Sequence, residues 1–146
     1  MSLTLESIQT ARERIAPYDV LTPLLRLRSL DAYLGCQVYA KAECMQVTGA
    51  FKLRGALNKL LSLPEDQLKN GVVTASSGNH GRAVAYGAKI LGLKATIVMP
   101  CTTPTVKVEK VRALVPFANE KYITINGRRC RNVFFCEDEL ERRLLD

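Results

Sequence analysis

Two short segments of this 146-residue chain crowd glycine against side chains that can do chemistry: residues 48–56, TGAFKLRGA, and residues 75–81, ASSGNHG. In the first, Lys52 follows Phe51, stands between Gly49 and Gly55, and opens an apolar run, Leu53, Ala56, Leu57, Leu60 and Leu61, with helical spacing. Partial burial at such a helix start would lower an amine's pKa from about 10.4. An amine that is neutral part of the time attacks carbonyl carbon. Lys52 is one of nine lysines, and most lysines are solvated charges, so nucleophile and surface cation both stand as readings. In the second segment a short strand runs through Ser76, Ser77, Gly78, Asn79, His80 and Gly81 into a helix. That turn presents backbone N–H groups and the positive end of a helix dipole, an anion site suited to a carboxylate or phosphate. Gly78 and Gly81 would let ligand and helix approach closely, with Ser and Asn as hydrogen-bonding groups. The competing reading is an ordinary turn with Ser or Asn as helix cap.

The elements that must hold these segments follow from periodicity. Leu5, Ile8, Ala11 and Ile15 mark a first amphipathic helix stopped by Pro17. Ser29 is expected to cap a short helical turn through Leu34 that Gly35 ends, and residues 38–42 read as a strand. The helix opened at Phe51 should end near Ser62, ahead of Pro64, with another short turn at 64–66. Residues 72–75 and 95–99 read as strands separated by a helix that Gly92 closes. Thr103 and Pro104 are expected as N-cap and first-turn pair of a helix carrying Val108, Val111 and Leu114 on one face. Strand, helix, strand, helix with short connections predicts an α/β domain around a parallel sheet, with ligands at the strand-to-helix turns. Residues 115–146 differ: 122–125, the pair Asn126-Gly127 and 133–135 suggest a hairpin, followed by the charged helical stretch EDELERRLL.

Composition narrows the functional classes. Apolar residues are 47% and charged residues 24% of the chain, the balance of a globular protein. No apolar run approaches the length of a membrane span, and the first twenty residues carry acids and no apolar core, so neither a membrane protein nor a secretory leader is expected and the cytoplasm is the default. Five scattered cysteines without a CxxC pair, and one histidine, support neither a disulfide framework nor a zinc site; small core residues or free thiols are expected. The net charge of +7 falls wholly in residues 1–114, with 15 basic and 8 acidic side chains against six of each in 115–146. Without a Lys/Arg run and with only 6% aromatics, the basic excess reads as a solvated surface rather than a nucleic-acid site.

Taken together and in order, TGAFKLRGA resembles the S/A-F-K-x-R-G-A segment, and ASSGNHG the asparagine loop, of fold-type II pyridoxal-phosphate (PLP) enzymes of the threonine dehydratase and serine racemase family. The flanks agree: TPLLRLRSLD resembles the family's opening T-P-L segment, VYAKAECMQVTG its K-x-E-x-x-Q-x-T-G approach, and residues 71–100 its central strand-helix-strand. The resemblance implies an α/β, parallel-sheet three-layer domain of the tryptophan synthase β-like type, incomplete here, with residues 1–114 as the N-terminal part of the catalytic fold and 115–146 as a tail without family counterpart. It implies Lys52 as the lysine that bonds PLP and later removes the Cα proton, Phe51 packed on the cofactor ring, and Asn79 hydrogen-bonded to its 3'-oxygen. Ser76, Gly78, Asn79 and His80 would surround the substrate carboxylate. Ser77 falls where racemases of the family move a proton on the face opposite the lysine.

The implied reaction is α,β-elimination from a hydroxy amino acid to a 2-oxo acid and ammonia, threonine giving 2-oxobutanoate and serine pyruvate. A small amino-acid substrate, no nucleic acid, no membrane and a homo-oligomer by analogy follow as partner expectations. The family's glycine-rich phosphate loop and the residue facing the pyridine nitrogen belong to a second half that these residues do not match. The tail is therefore expected to come from a truncated or frame-shifted reading, and the chain to be an inactive or incomplete fragment. Two other readings are a non-catalytic small-anion or interaction domain on the same fold, and the β-replacement branch typified by cysteine synthase. Against the latter, that branch reads T-S-G-N-T-G where this chain has His80.

Overall fold

The computed structural model describes residues 3–114, 118–125 and 128–135. The first helix, α1 (Leu5–Ile15), starts from a reciprocal capping box between Thr4 and Ser7. Of its expected apolar stripe only Ile15 is buried, while Leu5 and Ile8 face solvent. Strands β1 (Leu24–Arg26) and β2 (Tyr39–Lys41) pair antiparallel around Leu25 and Ala40 and enclose α2 (Arg28–Leu34). Helix α2 ends as predicted at Gly35, with φ 66°. Its start corrects the expectation for Ser29: Leu27 holds the N-cap position, its carbonyl accepting from the N–H groups of Leu30 and Asp31, and no side chain caps it. Asp31 then staples the ribbon, accepting from Arg26 Nε and from the Val38 N–H, both at 2.7 Å.

Beyond a 3-10 turn at Glu43–Met45, α3 (Lys52–Ser62) buries Leu53, Ala56, Leu57 and Leu60. The short α4 (Glu65–Leu68) leads to β3 (Val72–Ala75), α5 (Asn79–Ile90), β4 (Ala95–Pro100) and α6 (Thr105–Arg112). Strands β3 and β4 are parallel, in register from Val72 opposite Ala95 to Ala75 opposite Val98, with α5 as the crossover. The buried face of α5 is built from small residues, Gly81, Ala83, Ala85, Gly87 and Ala88, with Val84. A Cβ at Gly87 would lie 2.6 Å from Leu60 Cδ1, so glycine there lets α3 lie close against α5. Ile97, Met99, Val108 and Val111 complete the core from the other side. The α6 start brings a second correction: Pro104 is the N-cap, accepting from Lys107 and Val108, while Thr103 is turned inward and buried with its hydroxyl unpartnered among the described residues.

The predicted hairpin strands are present, longer than read, as β5 (Ala118–Ile125) and β6 (Arg128–Phe135), antiparallel with Ile125 opposite Arg128. Strand β6 also pairs antiparallel with β4, from Thr96 opposite Phe134 to Pro100 opposite Cys130. The sheet order is β3-β4-β6-β5, a parallel pair extended by an antiparallel hairpin, so the sheet is mixed rather than all parallel. Asn126-Gly127 and the charged stretch after Cys136 lie outside the described residues.

Candidate active site

Lys52 is the first residue of α3, and its Nζ sits 5.0 Å from the centroid of the neighbouring Phe51 ring, within cation–π range. The expected partial burial of Lys52 is not found: the side chain is exposed and Phe51 is 59% exposed. The inner face of the helix belongs to Leu53, Ala56, Leu57 and Leu60, and Phe51 and Lys52 fall off that stripe.

In the second segment the Ser76 N–H donates to Val98 O at 2.9 Å, carrying the strand pairing one residue beyond β3. Gly78 is the helix N-cap in extended conformation, with its N–H on Ser76 Oγ at 3.3 Å, and no side chain caps α5. The cap reading of Ser and Asn is thereby set aside. Gly81 is the glycine that packing demands, since a Cβ there would meet Ser76 O at 2.7 Å and Ile97 Cγ2 at 3.1 Å. Gly78 has open space in the Cβ direction, as a ligand-facing position needs. Ser76 and Ser77 are half-buried; Gly78, Asn79 and His80 are exposed.

The two segments meet. A Cβ at Gly49 would touch Arg82 Nη1 at 3.6 Å, and Gly87 packs on Leu57 and Leu60. Helices α3 and α5 therefore run side by side in the same direction, and their N-termini open together at the carboxyl edge of β3 and β4. The first-turn N–H groups of α5 and the positive ends of two helix dipoles lie there beside Lys52 and Arg82, a positive setting for an anion. Thr48 Oγ1 and Arg82 Nε are buried without a hydrogen-bond partner among the described residues, which leaves donors for a bound polar group to satisfy. An accessible amine, an aromatic ring and convergent donors fit an anionic aldehyde such as PLP. His, Cys, Asp and Glu form no metal-binding group among the described residues.

One part of the site escaped reading from the sequence. Arg54, two residues past Lys52, forks onto Glu43 with Nε to Oε2 at 3.0 Å and Nη2 to Oε1 at 2.8 Å. It also bridges to Asp19 and donates to Val20 O at 3.2 Å. Thr22 Oγ1 donates to Glu43 at 2.5 Å, and Lys41 donates to Thr22 O. Gln46, 4% exposed, accepts from the Val20 N–H and donates to Val20 O, both at 2.9 Å. The Arg54 hydrogen bonds hold the Glu43 carboxyl below its ordinary range against the opposing effect of burial, helped by Thr22 and the charges of Arg54 and Lys41. Glu43 in turn raises Arg54. Thr22, Glu43, Gln46 and Arg54 each fall in a segment quoted above, T-P-L, K-x-E-x-x-Q and F-K-x-R-G-A, but no spacing showed that they bond one another.

Fold and site together define an α/β domain with a positive, donor-bearing edge, and comparison with known proteins gives its family. The pyridoxal-phosphate dependent enzyme family matches residues 15–115, and the chain belongs to that family, of fold type II. It is 49% identical over 108 residues to serine racemase of Oryza sativa subsp. indica, covering 74% of this chain and 32% of the relative. It is 50% identical over 113 residues to a putative threonine dehydratase of Sinorhizobium fredii, covering 77% and 34%. The structure of maize serine racemase superposes with a TM-score of 0.70 at 45% identity, over 78% of this chain and 35% of that one. The chain thus spans about a third of the length of the relatives it matches. No helix among the described residues is long and apolar enough to cross a membrane.

Proposed function

We propose that this chain carries the lysine-bearing part of a PLP site for α,β-elimination from a hydroxy amino acid, threonine or serine, as in a threonine dehydratase. The observation that carries the reading is the convergence of the α3 and α5 N-termini, which sets Lys52 and the residue 76–81 turn at one edge of the sheet. When bound, PLP supplies the electron sink that makes a Cα–H bond acidic. Lys52 holds the cofactor and moves the Cα proton. Phe51 offers its ring as a stacking surface, and Asn79 a hydrogen bond to the cofactor's 3'-oxygen. Ser76, Gly78, Asn79 and His80 orient the substrate carboxylate, using N–H groups at the start of α5 to fix the geometry before proton transfer.

A second reading has one residue in its favour. Ser77, half-buried within that turn, offers a hydroxyl for proton delivery opposite Lys52, which is what racemisation needs. We assign the family fold to residues 1–114 and treat 115–146 as a distinct tail whose strands continue the sheet. The amino-acid substrate, a homo-oligomeric assembly and a cytoplasmic location are parts of the same proposal.

The test is to add PLP, reduce with borohydride and map the modified peptide. Label on Lys52, lost in Lys52→Ala, is the expected result; 2-oxo acid release from L-threonine or L-serine would show in addition that these residues turn over without the family's second half. D-serine formation that disappears in Ser77→Ala would select the racemase reading. Label spread evenly over all lysines would make this an anion-binding domain instead of an enzyme.

A further inference from the structure

We infer that Arg54 is the positioning residue for Lys52, setting the rotation of the α3 start about its own axis so that the amine faces the cofactor edge. The inference rests on Lys52 being the cofactor lysine.

The first turn of α3 has no capping side chain to fix it. Phe51 is its N-cap without a side-chain cap bond, and no acidic residue stands in the first turn. Its entry is a chain of single-turn bonds, Gly49 N–H to Gln46 O at 2.6 Å and Arg54 N–H to Phe51 O at 3.1 Å, after Gly49 at φ 70°. Such a start would fray or roll unless held from outside.

Arg54 supplies that hold. At 3.6 residues per turn, positions two apart project about 200° apart, on nearly opposite sides of the helix. The Arg54 guanidinium is planar and accepts only a narrow range of orientations in a bidentate carboxylate pair. Glu43 takes two of its N–H groups, Asp19 a third, and Val20 O a fourth direction. These partners are themselves tied: Glu43 to Thr22, and the 19–22 strap to Gln46 through both the N–H and the carbonyl of Val20. With one side of the first turn clamped, the opposite side, where Lys52 projects, has a fixed direction. Arg54 touches neither substrate nor cofactor in this role; it acts through Lys52. The cluster also gives a purpose to Lys41, Glu43 and Gln46, which the proposed reaction leaves unused.

The experiment uses the full chain, limiting PLP and cyanoborohydride, and reads the ratio of label on Lys52 to label on Lys59, an exposed lysine of the same helix. Arg54→Lys keeps the charge and loses the fork, and should lower that ratio about tenfold, less than the roughly hundredfold that a misplacement of a reacting group by about 1 Å can cost. Glu43→Gln should lower it less and serves if Arg54→Lys does not fold. Asn58→Ala removes the Arg14 hydrogen bond elsewhere on α3 and should lower the melting temperature while leaving the ratio unchanged. An unchanged ratio in folded Arg54→Lys or, if that variant does not fold, in Glu43→Gln overturns the inference, as does an equal fall in Asn58→Ala. A wild-type protein that shows no preference for Lys52 overturns the cofactor assignment and this inference with it, a result distinct from loss in the variants alone.

Discussion

The layer formed by α3, α5 and β4 and the ribbon formed by β1, α2 and β2 contain similar apolar residue types and treat them differently. In the layer, Leu53, Leu57, Ile97 and Met99 are fully enclosed. In the ribbon, Leu24, Leu34, Tyr33 and Tyr39 lie open, and α2 buries no residue at all. The layer is held by packing of small residues against large ones. The ribbon is held by directed polar bonds, Asp31 to Arg26 and Val38 and Lys41 to Thr22, and the segments on either side of it by Asp19 and Glu43 on Arg54. One region therefore draws its stability from excluded water and the other from charge and hydrogen-bond geometry, and the lysine sits where the two join.

The contrast breaks most sharply at Leu57. Leu57→Ala should cost about 2–5 kcal/mol in urea denaturation, because the site is sealed by α5 and has little room to collapse. Gly81→Ala should cost about 1–3 kcal/mol and weaken PLP labelling at Lys52, since the added methyl meets the Ser76 carbonyl, which as backbone has little freedom to yield. A smaller loss is set by pH. The folded Glu43 pKa lies below its ordinary value of 4.5, so its contribution is present above that pH and is lost as the pH falls below 4.5 and through the folded value. Denaturation midpoints of wild type should drop over that range, and Glu43→Gln, which removes the charge facing Arg54, Lys41 and Thr22, should flatten that part of the profile. At the other extreme, Tyr33→Ser on the ribbon should change stability by less than about 0.5 kcal/mol, because the ring is 85% exposed. Its measurable effect should be higher solubility, through loss of open apolar surface.

The layer was more legible in the sequence than the ribbon and for the same reason. Apolar spacing reports packing, so the helix from Phe51, the strands at 72–75 and 95–99 and the crossover between them followed directly. Directed bonds between residues far apart leave no period: Arg54 reaches back 35 positions to Asp19 and 11 to Glu43. Helix starts were misread where a neighbour competed. The carbonyls of Leu27 and Pro104 accept the bonds that begin α2 and α6, and Ser29 and Thr103, better caps by type, are not used. The exposure of Lys52 was unreadable because burial depends on what covers a residue, and spacing tells only which face it shares. The two glycine-bearing segments were visible as chemistry. Their meeting through Gly49 and Arg82 required the fold.

The antiparallel docking of β6 on β4 has a consequence for self-association. Over five consecutive residue pairs the outer margin of β4 is already matched by main-chain partners, so a foreign strand cannot add there. Within this four-stranded sheet, edge-to-edge growth would begin on β5 or on β3, whose Val73 is 74% exposed but which offers only four residues. A charge placed at Val73 is the smallest change that would guard the β3 margin.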